Sequence, residues 1–108
     1  MRIGQVFQHR TEGYRGVIIG WDRTARAPED WLQHMHRGHP DWKSKPNYAA
    51  LVDTRDRTIP QMTYVVEDNI VIVRNTKVMH PAVDDYFESW DGAQYIPRPW
   101  LRHMYPQD

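Results

Sequence analysis

The chain of 108 residues contains no cysteine. That absence removes disulfides, thiolate-ligated zinc and a thiol nucleophile together, and it favours a reducing, intracellular setting, cytoplasmic or nuclear. Long hydrophobic runs are also missing. The amino-terminal stretch MRIGQVFQHR alternates from its start, with no signal-peptide core, and no stretch reaches the roughly 18 apolar residues that a spanning helix needs, so no membrane partner is expected. Neither sign of charge dominates, since 14 Lys and Arg face 14 Asp and Glu, and the molecule lacks the net positive field that draws proteins to nucleic acid. No G-x-S-x-G, H-E-x-x-H, phosphate-cradling glycine loop or dinucleotide fingerprint occurs, which removes the common local signatures of hydrolases, zinc proteases and nucleotide enzymes.

Charge and aromatics are present in an uneven distribution. Residues 1–57 carry ten basic and seven acidic side chains and residues 58–108 carry four and seven, so a basic local face stays open despite the neutral total. Five tryptophans and six tyrosines exceed what one core of this size must hold, and some are expected as surface anchors.

The patterning is mostly that of strands. Ile3 to His9 alternates and is followed by the turn RTEG; Tyr14 to Trp21 holds the consecutive Val17, Ile18 and Ile19, as a central strand covered on both faces does. NYAALVD (47–53), QMTYVVEDN (61–69, turning at Glu67-Asp68-Asn69) and IVIVRN (70–75) read as three more. Gly16 and Gly20 suit a bent strand whose neighbours approach closely. Five short strands with polar turns predict a mainly β fold, a small strongly curved barrel or two-layer sheet. Between the second and third strands, APEDWLQHMH predicts a short helix from about Pro28 to Arg37, with acids in its first turn, followed by the loop GHPDWKSKP. HPAVDDYFESW (80–90) has Pro81 at a first helical position and Val83, Tyr86 and Phe87 on one face, which predicts a last helix. The remainder reads as an irregular strap. The whole forms one domain, 1–108, with the barrel core at about 2–73 and the helix and strap at about 79–108.

Candidate chemistry is sparse. His34, His36 and His39 form H-x-H-x-x-H, but residues two apart on a helix point about 200° away from one another, so His34 and His36 cannot share a metal without unwinding. A solvated helix end is expected and no metal site. The acid pairs Glu29-Asp30, Glu67-Asp68 and Asp84-Asp85 sit where adjacent acids act as caps and solubilising groups, whereas paired catalytic acids usually come from separate elements. No catalytic residue and no cofactor site is assigned. Trp21, Tyr48 and Tyr64 lie in strands and read first as core. Trp31, Trp42 and Trp100 fall in the helix, loop and strap, where recognition residues are commonly placed. A partner-binding surface is expected from Trp31, Trp42 and Tyr48 with Arg37, Lys43 and Lys45, and Arg23 and Arg26 lie near it in sequence.

Three blocks, GQVFQHRTEGYRGVIIGWD, PNYAALVD and TYVVEDNI, taken in this order, resemble YccV-like domains, the family also called hemimethylated-DNA-binding or HspQ-like. The tail HPAVDDYFESWDGAQYIP followed by MYPQD extends the resemblance to the form of this domain found at the carboxy-terminal end of F-box-only proteins. The resemblance implies an SH3-like β-barrel without catalytic residues or cofactor. It also implies a link to regulated proteolysis or ubiquitination, with a protein or peptide as the favoured partner and hemimethylated DNA as the alternative. It assigns no individual binding residue.

Overall fold

The computed structural model describes residues 2–26, 28–30 and 39–106. Strands β1 (Val6–His9), β2 (Arg15–Asp22), β3 (Asn47–Val52), β4 (Met62–Val66) and β5 (Ile70–Val73) pair antiparallel in the spatial order β4, β3, β2, β1, β5. Four lie within the predicted runs, and β2 passes the end of its run by one residue, Asp22. The first is shorter than its alternation suggests, because Gly4 turns the chain at a φ of +94°. A Cβ there would collide with the Tyr95 carbonyl oxygen, so only glycine lets the two backbones meet.

The apolar run of β2 does what consecutive β-branched residues predict. Gly16 to Gly20 is buried without interruption, between β1 and β3, and Phe7, Ile18, Leu51, Val6, Val17 and Val52 are all but closed to solvent. Each such side chain contributes about 1.5–3 kcal/mol relative to exposure. The register of β2 against β3 slips between Ile18 and Gly20. At that bulge the Tyr105 hydroxyl sits 2.7 Å from where a Gly20 Cβ would stand, so the missing side chain makes room for the carboxy-terminal segment.

Asp53 closes the end of β3. Its carboxylate is fully buried and accepts from the Arg55 guanidinium at 2.7 Å and 3.0 Å, from the Arg55 N–H at 2.8 Å and from the Met79 N–H at 3.2 Å. Arg55 also donates to the Lys77 carbonyl at 2.8 Å. A buried acid thus pins the segment after β5 to the β3–β4 turn, with its charge compensated as burial requires.

The tail departs from the last helix predicted within residues 80–90. Helix α1 covers only Val83–Tyr86, and the chain then becomes β6 (Phe87–Trp90), which pairs antiparallel with β7 (Tyr95–Pro97). The helical spacing of Val83, Tyr86 and Phe87 is real, but Phe87 is 2% exposed and packs on Tyr95 with ring centroids 5.2 Å apart, and tertiary burial overrides local periodicity. Asp91-Gly92 makes the turn: Asp91 Oδ1 accepts from the Ala93 and Gln94 N–H groups, each at 2.8 Å, and Gly92 has a φ of +102°. The expected strap is likewise part helix, α2 (Pro99–Met104), with Pro99 opening it and Leu101 buried.

In the insertion, Glu29 and Asp30 are helical. The rest of the helix predicted to Arg37, with Trp31, His34 and His36, lies outside the described residues. Pro40–Ser44 forms a 3-10 turn. No described helix is long and apolar enough to cross a membrane.

Candidate functional site: an aromatic cleft beside the β4 edge

Strand β4 ends the sheet on one side, and a cleft of about 130 Å³ opens beside it, walled by Thr63, Tyr64 and Val65 of β4, by His9 and Tyr14 of the β1–β2 hairpin, and by Trp42. Trp42 reaches it from the 3-10 turn. Asn47 fixes that turn, its Nδ2 donating to the carbonyls of Trp42 at 3.0 Å and Lys45 at 2.9 Å, while the Ala25 N–H donates to the Lys43 carbonyl at 2.9 Å. The Trp42 ring is half-buried and stacks on His39 at 3.8 Å with 4° between planes.

The opposite wall is a capped turn. His9 is 7% exposed, and its Nδ1 accepts from the N–H groups of Thr11 at 3.2 Å and Glu12 at 3.0 Å. Those bonds place the ring proton on Nε2, which lies 3.6 Å from Glu12 Oε2. Burial depresses the His9 pKa below its ordinary value, with Glu12 opposing and Arg57 adding to the effect. Tyr14 lies over His9 at 5.0 Å and shares a hydrogen bond of 3.1 Å with Thr63 Oγ1. Its pKa is raised, chiefly by burial. The Tyr64 hydroxyl donates to Asp22 Oδ2 at 2.7 Å, and burial with that carboxylate pushes its pKa up to about 12. Near neutral pH the imidazole and both phenols are therefore uncharged.

The cations at the rim are matched by acids. Lys43 Nζ lies 3.2 Å from Glu29, Lys45 Nζ lies 2.7 Å from Asp68 and 3.6 Å from Asp41, Arg57 lies 3.1 Å from Glu12, and Arg15 grips Asp56 at 2.8 Å and 3.0 Å. Exposed pairs of this kind contribute only about 0–1 kcal/mol of stability; their consequence is a neutralised rim. Among the described residues on this face, Lys43, Lys45, Arg15 and Arg57 are thus matched by acids, while Arg10 donates to the Asp68 carbonyl.

The expected surface is only partly assembled. Trp42 lines the cleft, and Lys43 and Lys45 stand near it in ion pairs. Tyr48 is 5% exposed within the hydrophobic core, which corrects its assignment to the binding surface: the residue pairs with Trp21 on β2 and Val65 on β4 and is covered. Trp31 and Arg37 lie outside the described residues. His9, Tyr14, Thr63 and Tyr64 were not anticipated. The readable signal was the amphipathic character of Tyr14 and Tyr64, whose polar tips need partners when their rings are buried. For chemistry the cleft offers little: the acceptor nitrogen of His9 is committed to backbone N–H groups, so it is not poised to take a proton from a substrate. Among the described residues no group of three or more His, Asp or Glu side chains gathers to hold a metal.

A family model described as hemimethylated DNA-binding protein YccV like matches residues 1–94. F-box only protein 21 of Mus musculus is 32% identical over 108 residues, covering 98% of this chain, and F-box only protein 21 of Homo sapiens has the same identity and coverage. The chain spans 16% of the length of each of these relatives.

Proposed function

The chain belongs to the YccV-like family, and from that premise we propose that it is a non-enzymatic binding domain whose aromatic cleft receives a protein or peptide, as a recognition module linked to ubiquitination. The observation that carries this reading is the cleft itself: neutral rings and hydroxyls beside a sheet edge, under a rim whose charges are already paired. Such a surface suits apolar and backbone groups of a polypeptide, and a fixed sheet limits the ordering cost of capture. The F-box relatives support the link to ubiquitination, and they favour an intracellular setting.

The fold belongs to the proposal in its finer form. We take the sheet as a strongly curved SH3-like barrel in a single domain, supported by its double-sided burial, by the β2 bulge, and by the bonds from the Arg10 N–H to the Asn69 carbonyl and from Arg10 Nε to the Asp68 carbonyl, which draw the β1–β2 turn to the β4–β5 turn.

The test pairs affinity capture with thermal unfolding for wild type and Trp42→Ala. Partners retained by wild type and lost by the variant, at nearly equal melting temperature, support the cleft; equal capture by both removes it. The family description favours one alternative, hemimethylated duplex DNA. Paired rim cations predict weak binding with a shallow dependence on salt, and a steep salt slope with preference for hemimethylated over unmethylated duplex overturns the peptide reading.

A further inference from the structure

On a separate face, the carboxy-terminal unit and the chain start enclose a pocket of about 210 Å³ that contains two arginines, Arg2 and Arg102, with the Gln94 amide and apolar walls from Ile3, Ile96 and Tyr105. We infer that this pocket takes the carboxy-terminal carboxylate of a peptide whose last side chain is aliphatic. The inference rests on the reading of the chain as a polypeptide-binding module, but on different residues from the aromatic cleft.

Among the described residues Arg15, Arg26, Lys43, Lys45, Arg55 and Arg57 are answered by carboxylates, whereas the pocket's arginines are not neutralised in this way. Among the described residues Arg2 forms no ion pair, and its backbone N–H donates to Gln5 Oε1 at 2.7 Å, which holds the main chain in place and leaves the guanidinium unengaged by that contact. Arg102 is held by a bond from Nη2 to the Pro97 carbonyl at 3.1 Å, and its acidic neighbour among the described residues is a loose one, Glu88 Oε1 at 3.7 Å. Asp91, on the same hairpin as Gln94, has its Oδ1 engaged by the Ala93 and Gln94 N–H groups.

Two guanidinium groups with one loose counterion leave an excess of positive charge beside apolar walls. A carboxylate matches the planar donor fork of arginine, and the walls favour an attached aliphatic group over a bare ion. A peptide carboxy terminus presents both on adjacent atoms. Each wall has a structural anchor: Ile96 and Pro97 belong to β7, Arg102 to α2, and Ile3 is buried next to the Gly4 turn. The pocket therefore exists before a ligand arrives.

The test is fluorescence polarisation with a labelled hexapeptide ending in leucine, as the free acid and as the carboxy-terminal amide, with inorganic phosphate as competitor. The free acid is expected to bind at least about tenfold more tightly than the amide. Arg2→Gln and Arg102→Gln should each remove most of that difference, and Glu88→Gln should strengthen binding of the acid by releasing Arg102. Arg2 is exposed, so Arg2→Gln keeps the test valid if Arg102→Gln disturbs α2. Equal binding of acid and amide, displacement of the acid by equimolar phosphate, or absence of saturable binding overturns the pocket and leaves the cleft reading standing. Loss of acid binding in Trp42→Ala, with none in Arg2→Gln, also overturns it by placing the peptide in the cleft.

Discussion

The five-stranded sheet and the carboxy-terminal unit are built from comparable residue types and held in different ways. The sheet is held by ladders: four antiparallel pairings place apolar side chains on both sides of β2 and β3. The carboxy-terminal unit has strands of four and three residues and helices of four and six, too short to persist by themselves in water. It is held by a few side chains delivered into the core of the sheet. Phe87, Tyr95 and Leu101 are buried, and the Tyr95 hydroxyl donates to the Val78 carbonyl at 3.2 Å and accepts from the Val78 N–H at 3.0 Å. The difference teaches that regular repetition secures the first region and individual anchors secure the second, so single substitutions should act unequally on them.

Phe87→Ala removes the deepest anchor and is expected to have the largest effect, a loss of about 3–5 kcal/mol. Chemical denaturation followed by tryptophan fluorescence checks it. A single transition moved to lower denaturant with unchanged steepness is expected, and two separated transitions break the comparison by showing that the tail unfolds independently.

Asp53→Ala comes next, with an expected loss of about 3 kcal/mol, because the change leaves buried N–H groups and the Arg55 charge without their acceptor. Burial acts to raise the Asp53 pKa, but the Arg55 guanidinium and the Arg55 and Met79 N–H groups outweigh it and hold the carboxyl below its ordinary value. A depressed carboxyl contributes stability above its unfolded pKa, about 3.9, and loses that contribution as pH falls through the lower folded value. Melting temperatures of wild type and Asp53→Asn measured from pH 6 to pH 2 by circular dichroism should therefore converge at the acid end. Parallel curves contradict the assignment.

His9 sharpens the contrast at the cleft. Its folded pKa lies below the unfolded value of about 6.5, so the unfolded chain binds the proton first and stability falls as pH drops from about 6.5 through the folded value. The slope should be modest and absent in His9→Asn. Nitrogen-15 NMR should place the wild-type proton on Nε2, and protonation at Nδ1 in the folded state at neutral pH would sink the turn-cap assignment.

The smallest effect is expected at Trp100. Its ring is 47% exposed and touches Tyr86 at 5.5 Å, so Trp100→Ser should change stability by less than about 1 kcal/mol. A larger loss in thermal melts would make it an anchor of the carboxy-terminal unit alongside Phe87.

Much of the sheet was legible from residue order. Consecutive Val17, Ile18 and Ile19 announced a strand covered on both faces, and Glu67-Asp68-Asn69 forms the expected turn before β5. The tail misled because Val83, Tyr86 and Phe87 satisfy a helical spacing while Phe87 is claimed by a strand; the Asp91-Gly92 pair was the overlooked hairpin signal. Of the cleft-lining residues, Trp42 was legible from its loop position. Tyr48 was misplaced because a strand residue shows its alternation in sequence but not what lies over it.

From order and composition alone came the β character, the boundaries of β1 to β5 to within a few residues, and the lack of thiol chemistry, because period-two burial and the absence of a residue type are local properties of the chain. Tertiary structure alone decided that Lys43 and Lys45 are neutralised, that His9, Tyr14 and Tyr64 share a cleft with Trp42, and that Arg2 meets Arg102 across a pocket. Charge pairing and concavity depend on distances between residues far apart in the chain, and those distances arise only when the β4 edge, the insertion and the carboxy-terminal anchors are packed together.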